Sequence, residues 1–343
     1  MPVLTLTYSP AYTLVPTYEC FNRCTYCNFR TDPLADQWLT LETARQHLKA
    51  LQNKGIIEIL LLSGEVHPQS NRRQAWFQRI YDLCALALDL GFLPHTNAGP
   101  LSFAEMQQLK QVNVSMGLML EQLNPQLLTT VHQHAPSKEP ALRLQQLAWA
   151  GELEIPFTTG LLLGIGEDET DWEASLAAIA AVHQRHGHVQ EVILQPHQPG
   201  SRQSRLGESL TPKQLVKAVK LARQILPKAI TLQIPPNLTT LTGAIACIDS
   251  GARDLGGLVP KDEVNPDYLH HPLTQLRQAL GAKGWHLSPR LPVYPQYDHW
   301  LPPNLRDRVA HWRSQLTLLA PPSLQPLTAL TDTHSPASSS TKV

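Results

Sequence analysis

The chain has 343 residues, 42% of them hydrophobic, and its Lys+Arg and Asp+Glu both total 28, so the formal net charge is zero with histidine neutral. No basic run is longer than Arg72-Arg73, and no apolar stretch reaches the ~20 residues that span a bilayer, which argues against nucleic acid and membrane as partners. Residues 1–6 lack the charged and apolar regions of a signal peptide. The composition predicts a globular, cytoplasmic protein that acts on a small molecule.

Strands and helices alternate along the chain from residue 12 onward. An extended run at 12–17 precedes a cysteine-rich loop and a helix over 40–51, for which Thr40 is the predicted N-cap. The continuous apolar run at 56–62 is typical of a strand buried on both faces of a parallel sheet. Capping boxes are predicted at Ser102–Glu105, Thr170–Glu173 and Thr211–Gln214. Further helices are expected over 74–90 and 273–280, and further strands at 92–97, 112–119, 157–163, 189–194, 230–234 and 244–248.

This alternation predicts an α/β fold, the TIM-type (βα) barrel, with six core βα units that the last two strands complete to eight. The barrel domain is expected to cover 1–260. Prolines follow one another closely after residue 260, so 261–320 is expected to be a C-terminal extension packed on the barrel. The stretch 321–343 is rich in Pro, Ser and Thr and is expected to be a disordered tail.

Three cysteines, Cys20, Cys24 and Cys27, lie within eight residues directly after the first predicted strand. A structural zinc site or an electron-transfer cluster normally takes four protein ligands, so three thiolates indicate an iron–sulfur cluster with one open coordination site. Zinc and a chance grouping are the alternatives. Cys84 and Cys247 lie in apolar surroundings and are expected to be buried packing residues, which argues for a reducing compartment.

This loop, with Tyr26 directly before the third cysteine, resembles the signature of the radical S-adenosylmethionine (SAM) superfamily. The resemblance implies a barrel of the radical SAM type and a [4Fe–4S] cluster held by Cys20, Cys24 and Cys27. It also implies that SAM binds the open iron and is cleaved to a 5′-deoxyadenosyl radical.

Polar and glycine-rich residues follow the predicted strands, where a parallel barrel places its catalytic face. Residues 63–65 resemble the superfamily's Gly-Gly-Glu segment, and 160–167 are similar to its glycine motif on strand five. An ordinary turn or a solvated loop residue is the alternative for each. The residues expected to contact SAM are Tyr26, Ser63, Gly64, Glu65, Asn97, Glu121, Gly160, Gly164 and Gly166.

Several segments together resemble one family within the superfamily, the small (CofG-like) subunit of FO synthase, where FO is 7,8-didemethyl-8-hydroxy-5-deazariboflavin. They are 20–30, 62–65, 97–99, 114–121, 159–167, 235–238 and 264–266. The resemblance implies oxidative cyclisation of an adduct of tyrosine and 5-amino-6-(D-ribitylamino)uracil to FO, with loss of ammonia. It also implies a second (CofH-like) subunit as pathway partner and reduced flavodoxin or ferredoxin as electron donor. One departure concerns 254–260, where Leu255 and Val259 replace an expected tryptophan and serine.

Ring closure and ammonia loss would benefit from an acid–base residue, and His197 and Asp249 are the candidates. Gln195 and Asn237 are expected to bind substrate, although Asn237 could instead cap the turn after two prolines. Most of the fifteen histidines are expected at the surface. Two other functions stay open: another biotin-synthase-like radical SAM enzyme with a different substrate, or a non-catalytic iron–sulfur electron-transfer protein.

Overall fold

The computed structural model of the chain describes residues 4–203 and 209–319. Within these ranges, eight parallel strands follow one another around a closed barrel. They are β1 (Leu4–Leu14), β2 (Glu58–Leu62), β3 (Leu93–Asn97), β4 (Ser115–Gly117), β5 (Phe157–Leu163), β6 (Val189–Pro196), β7 (Thr231–Gln233) and β8 (Asp254–Leu258). Each pairs with the next, and β1 pairs with both β8 and β2, which closes the sheet. The predicted TIM-type barrel is confirmed.

A helix follows each of these strands and covers the outside of the barrel. The helices are α1 (Leu41–Leu51), α2 (Arg73–Asp89), α3 (Phe103–Leu109), α4 (Pro140–Glu152), α5 (Glu169–His186), α6 (Pro212–Ile225), α7 (Leu241–Asp249) and α8 (Leu273–Gly281). The apolar faces of strands and helices form one continuous core that includes Trp76, Ile59 and Leu161, each fully buried. Cys84 and Cys247 are also fully buried, as predicted.

Helix starts follow the predicted caps at three of four positions. Thr40 caps α1, and the capping boxes that begin at Ser102 and Thr211 are both present. The predicted box Thr170–Glu173 is wrong. Asp168 is the last extended residue before α5, so its carboxylate accepts the first free amides, and Asp171 completes the box.

The predicted eighth strand, 244–248, is wrong because these residues belong to α7. A short apolar run fits a buried helix as well as a buried strand, so periodicity could not separate the two. The actual eighth strand, β8, contains an aspartate and two glycines and therefore has no strand-like composition. The first strand begins at Leu4 and ends at Leu14, earlier than predicted, and β4 has only three residues.

The segment after β8 joins the same sheet. A ninth strand, β9 (Trp285–Pro289), pairs in parallel with residues 4–8 of β1, below the point at which β2 pairs with residues 11–14. Helix α9 (Pro303–Leu319) follows it. The predicted tail at 321–343 lies outside the described residues. In the part of the chain that the structure describes, no helix has the length and apolar character needed to cross a membrane.

Candidate active site

The cysteine loop lies at the carboxyl end of β1 and is held by backbone hydrogen bonds from neighbouring loops. The Phe21 amide donates to the Glu65 carbonyl at 3.0 Å, after β2. The Arg23 and Thr25 amides donate at 2.7 and 3.1 Å to carbonyls of residues 134 and 131, between β4 and α4. An irregular eight-residue segment is thereby fixed from two sides without secondary structure of its own.

The three cysteines line one cavity of about 230 Å³ at the barrel mouth. Most of the predicted site residues border this cavity, although they come from five strand ends. Those that do are Tyr26, Ser63, Gly64, Glu65, Asn97, Glu121, Gln195 and His197. We call this space the cysteine cavity.

The donor set of the cysteine cavity fits a [4Fe–4S] cluster. Cys20, Cys24 and Cys27 are all free thiols, and soft thiolates are the usual ligands of such clusters. Among the described residues, no three His, Cys, Asp or Glu side chains converge as a single metal ion requires. A single zinc ion needs all its ligands about 2.3 Å away, whereas the sulfurs of a cluster bind separate irons, so this arrangement favours the cluster.

Burial disfavours ionisation of the Cys20 and Cys24 thiols in the absence of a metal. Burial, with the Glu65 carboxylate as the next cause, raises the pKa of Cys20 to about 12. Burial also raises the pKa of Cys24 to about 11, against the opposing effect of Lys138. A bound cation would favour the thiolate forms, because metal coordination deprotonates a thiol.

A buried ion cluster forms another wall of the cysteine cavity. Glu121, at φ 66°, pairs with Lys138 at 2.5 Å and with Arg143 at 3.7 Å. Burial alone would raise the pKa of Glu121, but the charges of Lys138 and Arg143 outweigh it and lower the pKa. Glu121 is therefore an anion at neutral pH, positioned to accept hydrogen bonds from a ligand's hydroxyl or amino groups.

The turn after β2 has a structural reason for its glycine. A Cβ on Gly64 would lie 2.2 Å from the Glu19 carbonyl oxygen, so this position permits close packing of two backbone segments. The Ser63 hydroxyl donates to the Gly64 carbonyl at 2.8 Å and accepts from Trp76 Nε1 at 3.1 Å, and is occupied within the protein. Glu65 also borders the cavity, and the structure records no hydrogen bond for its side chain among the described residues.

Five predicted residues lie away from the cysteine cavity, namely Gly160, Gly164, Gly166, Asp249 and Asn237. A Cβ on Gly160 would lie 2.3 Å from the Ile193 carbonyl oxygen, so this glycine allows β5 and β6 to pack closely. Gly164 and Gly166 have φ of 92° and 122°, which turn the chain after β5. Asp249 is the last residue of α7, exposed, on the side where the strands begin. The reasoning that placed it at the strand ends assumed that 244–248 was a strand, so we assign it no role in chemistry.

Tyr26 and His197 form the aromatic side of the cysteine cavity, and His132 contacts Tyr26. The Tyr26 hydroxyl is 2.9 Å from His132 Nε2, and the Tyr26 ring contacts His197 edge-on at a centroid distance of 6.4 Å. Burial, followed by the charge of Lys138, lowers the pKa of His132 to about 4. His197 is 5% exposed; its Nε2 is 3.2 Å from Gln203 Oε1, and its Nδ1 is buried without a partner among the described residues.

A second cavity of about 180 Å³, here called the inner chamber, extends down the barrel axis. Asn97 and Gln195 border both cavities, so the two adjoin. Asn237 borders the inner chamber; its amide donates to Asp262 Oδ2 at 2.8 Å and its Oδ1 has no partner among the described residues. The alternative of a turn cap does not hold, because Thr240 caps α7.

Residues 261–270 cross the barrel mouth between these loops. The Asn28 side chain, next to the cysteine loop, donates to Asp267 at 2.9 Å, and the Tyr18 hydroxyl donates to Glu263 at 2.7 Å. Together with the Asn237–Asp262 bond, these contacts link the loops after β1, β7 and β8. The segment therefore forms a shared roof for the cysteine cavity and the inner chamber.

Comparisons with known proteins agree with this geometry. Residues 14–179 match the model of the radical SAM superfamily. A protein of Trichormus variabilis named 7,8-didemethyl-8-hydroxy-5-deazariboflavin synthase is 66% identical over 308 residues, 90% of this chain and 91% of that protein. This chain belongs to the same synthase family of radical SAM enzymes. A family member from a Synechocystis species is 62% identical over 309 residues, 90% of this chain and 99% of that protein.

Among solved structures, the FeFe-hydrogenase maturase HydG of Carboxydothermus hydrogenoformans matches with a TM-score of 0.71. The match covers 92% of this chain and 79% of that one at 18% identity, so it shows a common fold and no more. Membership in the synthase family makes the chain an enzyme and removes the non-catalytic electron-transfer alternative.

Sequence reasoning missed several residues of the site in this synthase. Lys138 lies just before α4 and Arg143 in its first turn. Both are distant along the chain from the end of any strand, and no local sequence pattern marks them. His132 was expected at the surface but is 4% exposed. Asn265 borders both cavities, and its presence in a segment shared with the family was the one signal that could have identified it.

Proposed function

We propose that this chain catalyses the radical SAM step that forms FO from the tyrosine–uracil adduct 5-amino-5-(4-hydroxybenzyl)-6-(D-ribitylimino)-5,6-dihydrouracil, by oxidative cyclisation with loss of ammonia. The observation that carries the proposal is the identity of 66% over 90% of the chain with a named FO synthase. The cysteine cavity supports it, because it places three free thiols beside an adjoining chamber with room for a second ligand.

In this proposal Cys20, Cys24 and Cys27 hold a [4Fe–4S] cluster. With SAM bound, such a cluster would supply the one-electron reduction of SAM that yields a 5′-deoxyadenosyl radical, which is able to remove a hydrogen atom from the substrate. Glu65 and Glu121 both border the cavity; the carboxylate of Glu65 suits an amino group, and that of Glu121 suits hydroxyls. The roof formed by 261–270 limits the entry of water, and this exclusion protects a reactive radical from side reactions.

His197 is the acid–base residue that we propose for ring closure or ammonia loss. It borders the cysteine cavity, and its Nδ1 is buried without a partner among the described residues, so a substrate atom could accept or supply a proton there. The contact with Tyr26 and the bond to Gln203 hold the ring in place.

The proposed partners are the tyrosine–uracil adduct, a second FO synthase subunit that makes it (CofH-like), and reduced flavodoxin or ferredoxin as electron donor. Five free cysteines among the described residues suit a reducing compartment, and the cytoplasm is the location that we propose.

Anaerobic reconstitution with iron and sulfide, followed by SAM, dithionite and the adduct, tests the proposal. We expect 5′-deoxyadenosine, ammonia and fluorescent FO to appear together. Formation of 5′-deoxyadenosine without FO would instead support the alternative of a biotin-synthase-like radical SAM enzyme with another substrate. Leu255 and Val259, which replace the expected tryptophan and serine, both border the inner chamber, so a change of substrate would arise there.

Asn237→Ala tests the substrate side separately. Asn237 is 8% exposed and its free Oδ1 borders the inner chamber, so the variant should keep its cluster and form some 5′-deoxyadenosine while losing most FO formation. Asn304→Ala, on the exposed face of α9, is the matched control. FO formation at the wild-type rate would place the substrate elsewhere, and loss of the cluster would show that Asn237 is structural.

A further inference from the structure

The inner chamber reaches from the barrel mouth to the end at which the strands begin. Its upper border includes Asn97, the last residue of β3, and its lower border includes Glu58, the first residue of β2. Arg290, directly after β9, also borders it. The interior of a TIM barrel is usually filled by layers of branched apolar side chains, so an open polar shaft along the axis needs an explanation.

The floor of this shaft is made of buried charged groups. Three even-numbered strands supply carboxyls at one level: Glu58 from β2, Glu191 from β6 and Asp254 from β8, which are 7%, 3% and 0% exposed. Arg290 lies between them, 2.5 Å from Glu191 Oε1 and 2.7 Å from Asp254 Oδ2. Glu58, in contrast, has Ser9 as its hydrogen-bond partner.

Three carboxylates and one guanidinium would leave two uncompensated negative charges in a desolvated space, so the cluster retains protons. Burial, opposed by Arg290, raises the pKa of Glu58, and the same causes raise the pKa of Glu191 to about 8. The floor carboxyls accept hydrogen bonds from four hydroxyls on neighbouring elements, those of Thr7, Ser9, Thr158 and Tyr294. His95 borders the chamber beside them. Burial holds His95 neutral by lowering its pKa to about 3. The floor therefore presents both hydrogen-bond donors and acceptors, and Arg290 offsets part of its negative charge.

The walls above the floor carry further polar side chains for which the structure records no hydrogen bond within the described residues. Among the described residues, the structure records no hydrogen bond for the side chains of Thr13, Gln233 and Gln195, all of which border the chamber. Each could donate and accept. A flat aromatic ring would leave these groups and the floor unpaired, at a cost for each. A cation would compete with Arg290, which already pairs with two of the three carboxyls.

We infer that the inner chamber binds the polyol chain of the substrate, with the buried carboxyl group of Glu58 as a hydrogen-bond partner of its hydroxyls. The inference rests on the proposed function, in which the substrate joins two flat rings to a ribityl chain. In that function SAM and the reacting carbon lie at the cysteine cavity, so the deep end of the inner chamber receives a part of the substrate that is remote from the reaction. A flexible chain of hydroxyls, each both donor and acceptor, matches a narrow shaft lined on all sides by mixed polar groups.

The test compares two ligands on the reconstituted enzyme by fluorescence titration: FO, and the same chromophore with a methyl group in place of the ribityl chain. The wild type should bind FO more tightly. Glu58→Leu should weaken FO binding by about tenfold, the value of one or two lost hydrogen bonds, and leave the methyl analogue nearly unchanged. Glu58→Gln should retain FO affinity within about threefold, because an amide keeps one donor and one acceptor group.

Thr13→Val is a second variant that removes one hydroxyl at nearly constant volume, with no recorded protein hydrogen bond to lose. It should weaken FO binding by about fivefold and spare the analogue. Equal loss for both ligands, or no loss of FO affinity in either Glu58→Leu or Thr13→Val, would overturn the inference, as would a wild type that does not prefer FO. FO formation by the wild type separates these outcomes from failure of the proposed function, which would show as 5′-deoxyadenosine without FO.

Discussion

Replacing Gly64 by alanine should damage the cysteine loop rather than the SAM site alone. The added Cβ would lie 2.2 Å from the Glu19 carbonyl oxygen, 2.7 Å from its carbon and 2.9 Å from the Tyr18 carbonyl oxygen. All three atoms are backbone and cannot rotate away, so the strand end and the loop must separate by about 1 Å. Overpacking of this kind costs about 3 kcal/mol.

The consequence extends to the metal because Glu19 directly precedes Cys20. Glu19 is also held by Arg72 at 2.5 Å and by Trp38 Nε1 at 3.1 Å, so its displacement disturbs a partly buried ion pair as well. We therefore expect Gly64→Ala to lower the free energy of unfolding by about 3 kcal/mol and to reduce the iron bound per chain after reconstitution.

Chemical denaturation of the apoprotein and an iron assay after anaerobic reconstitution measure the two effects. Gly281→Ala is the control, since a Cβ there meets nothing within 4 Å and φ is not positive, so stability should change by less than about 0.5 kcal/mol. Wild-type stability and iron content in Gly64→Ala would refute the reasoning. Loss of SAM affinity alone would instead show that Gly64 faces the ligand.

Three further changes test other parts of the site. Cys24→Ala should abolish cluster assembly and SAM cleavage, and full iron content in this variant would contradict the cluster assignment. Cys84→Ala is the control: this thiol is fully buried and distant along the chain from the cysteine loop, so the variant should keep its iron and lose only about 1 kcal/mol of stability. Lys138→Met should cost about 2 kcal/mol and weaken SAM binding, because Glu121 loses its 2.5 Å partner, and unchanged melting would show that the pair contributes nothing. Glu191 holds a proton up to about pH 8 in the folded protein but only to about pH 4.3 when unfolded, so the free energy of unfolding should fall by about 2 kcal/mol from pH 6.5 to 8.5. If the stability of Glu191→Gln fell equally over this pH range, Glu191 would be excluded as the cause.

Local patterns predicted most of the fold. The strand β5 has the predicted bounds, and α1 and α2 lie within one residue of theirs, because apolar periodicity and capping residues act over a few neighbours. The prediction failed at 244–248, where a short apolar run suits a helix and a strand equally, and at β8, which the barrel requires but whose composition does not favour a strand. In both places tertiary pairing overrides local preference.

The sequence by itself indicated cysteine thiolates as the metal ligands and a radical SAM enzyme as the class of protein. The spacing of Cys20, Cys24 and Cys27 is fixed by their order along the chain. In a parallel barrel, the loops after successive strands meet at one face. For that reason Glu65, Asn97, Glu121 and the other strand-end residues could be grouped before any coordinates were known.

Only the tertiary structure decided which polar groups pair, and where space remains. Arg290 enters the barrel floor from the C-terminal extension because β9 pairs with β1, a contact between residues almost three hundred positions apart. Lys138 reaches Glu121 through a loop without strand or motif. Ion pairing, burial and cavity shape depend on distances in space rather than along the chain, and so the charged floor of the inner chamber cannot be read from any single segment.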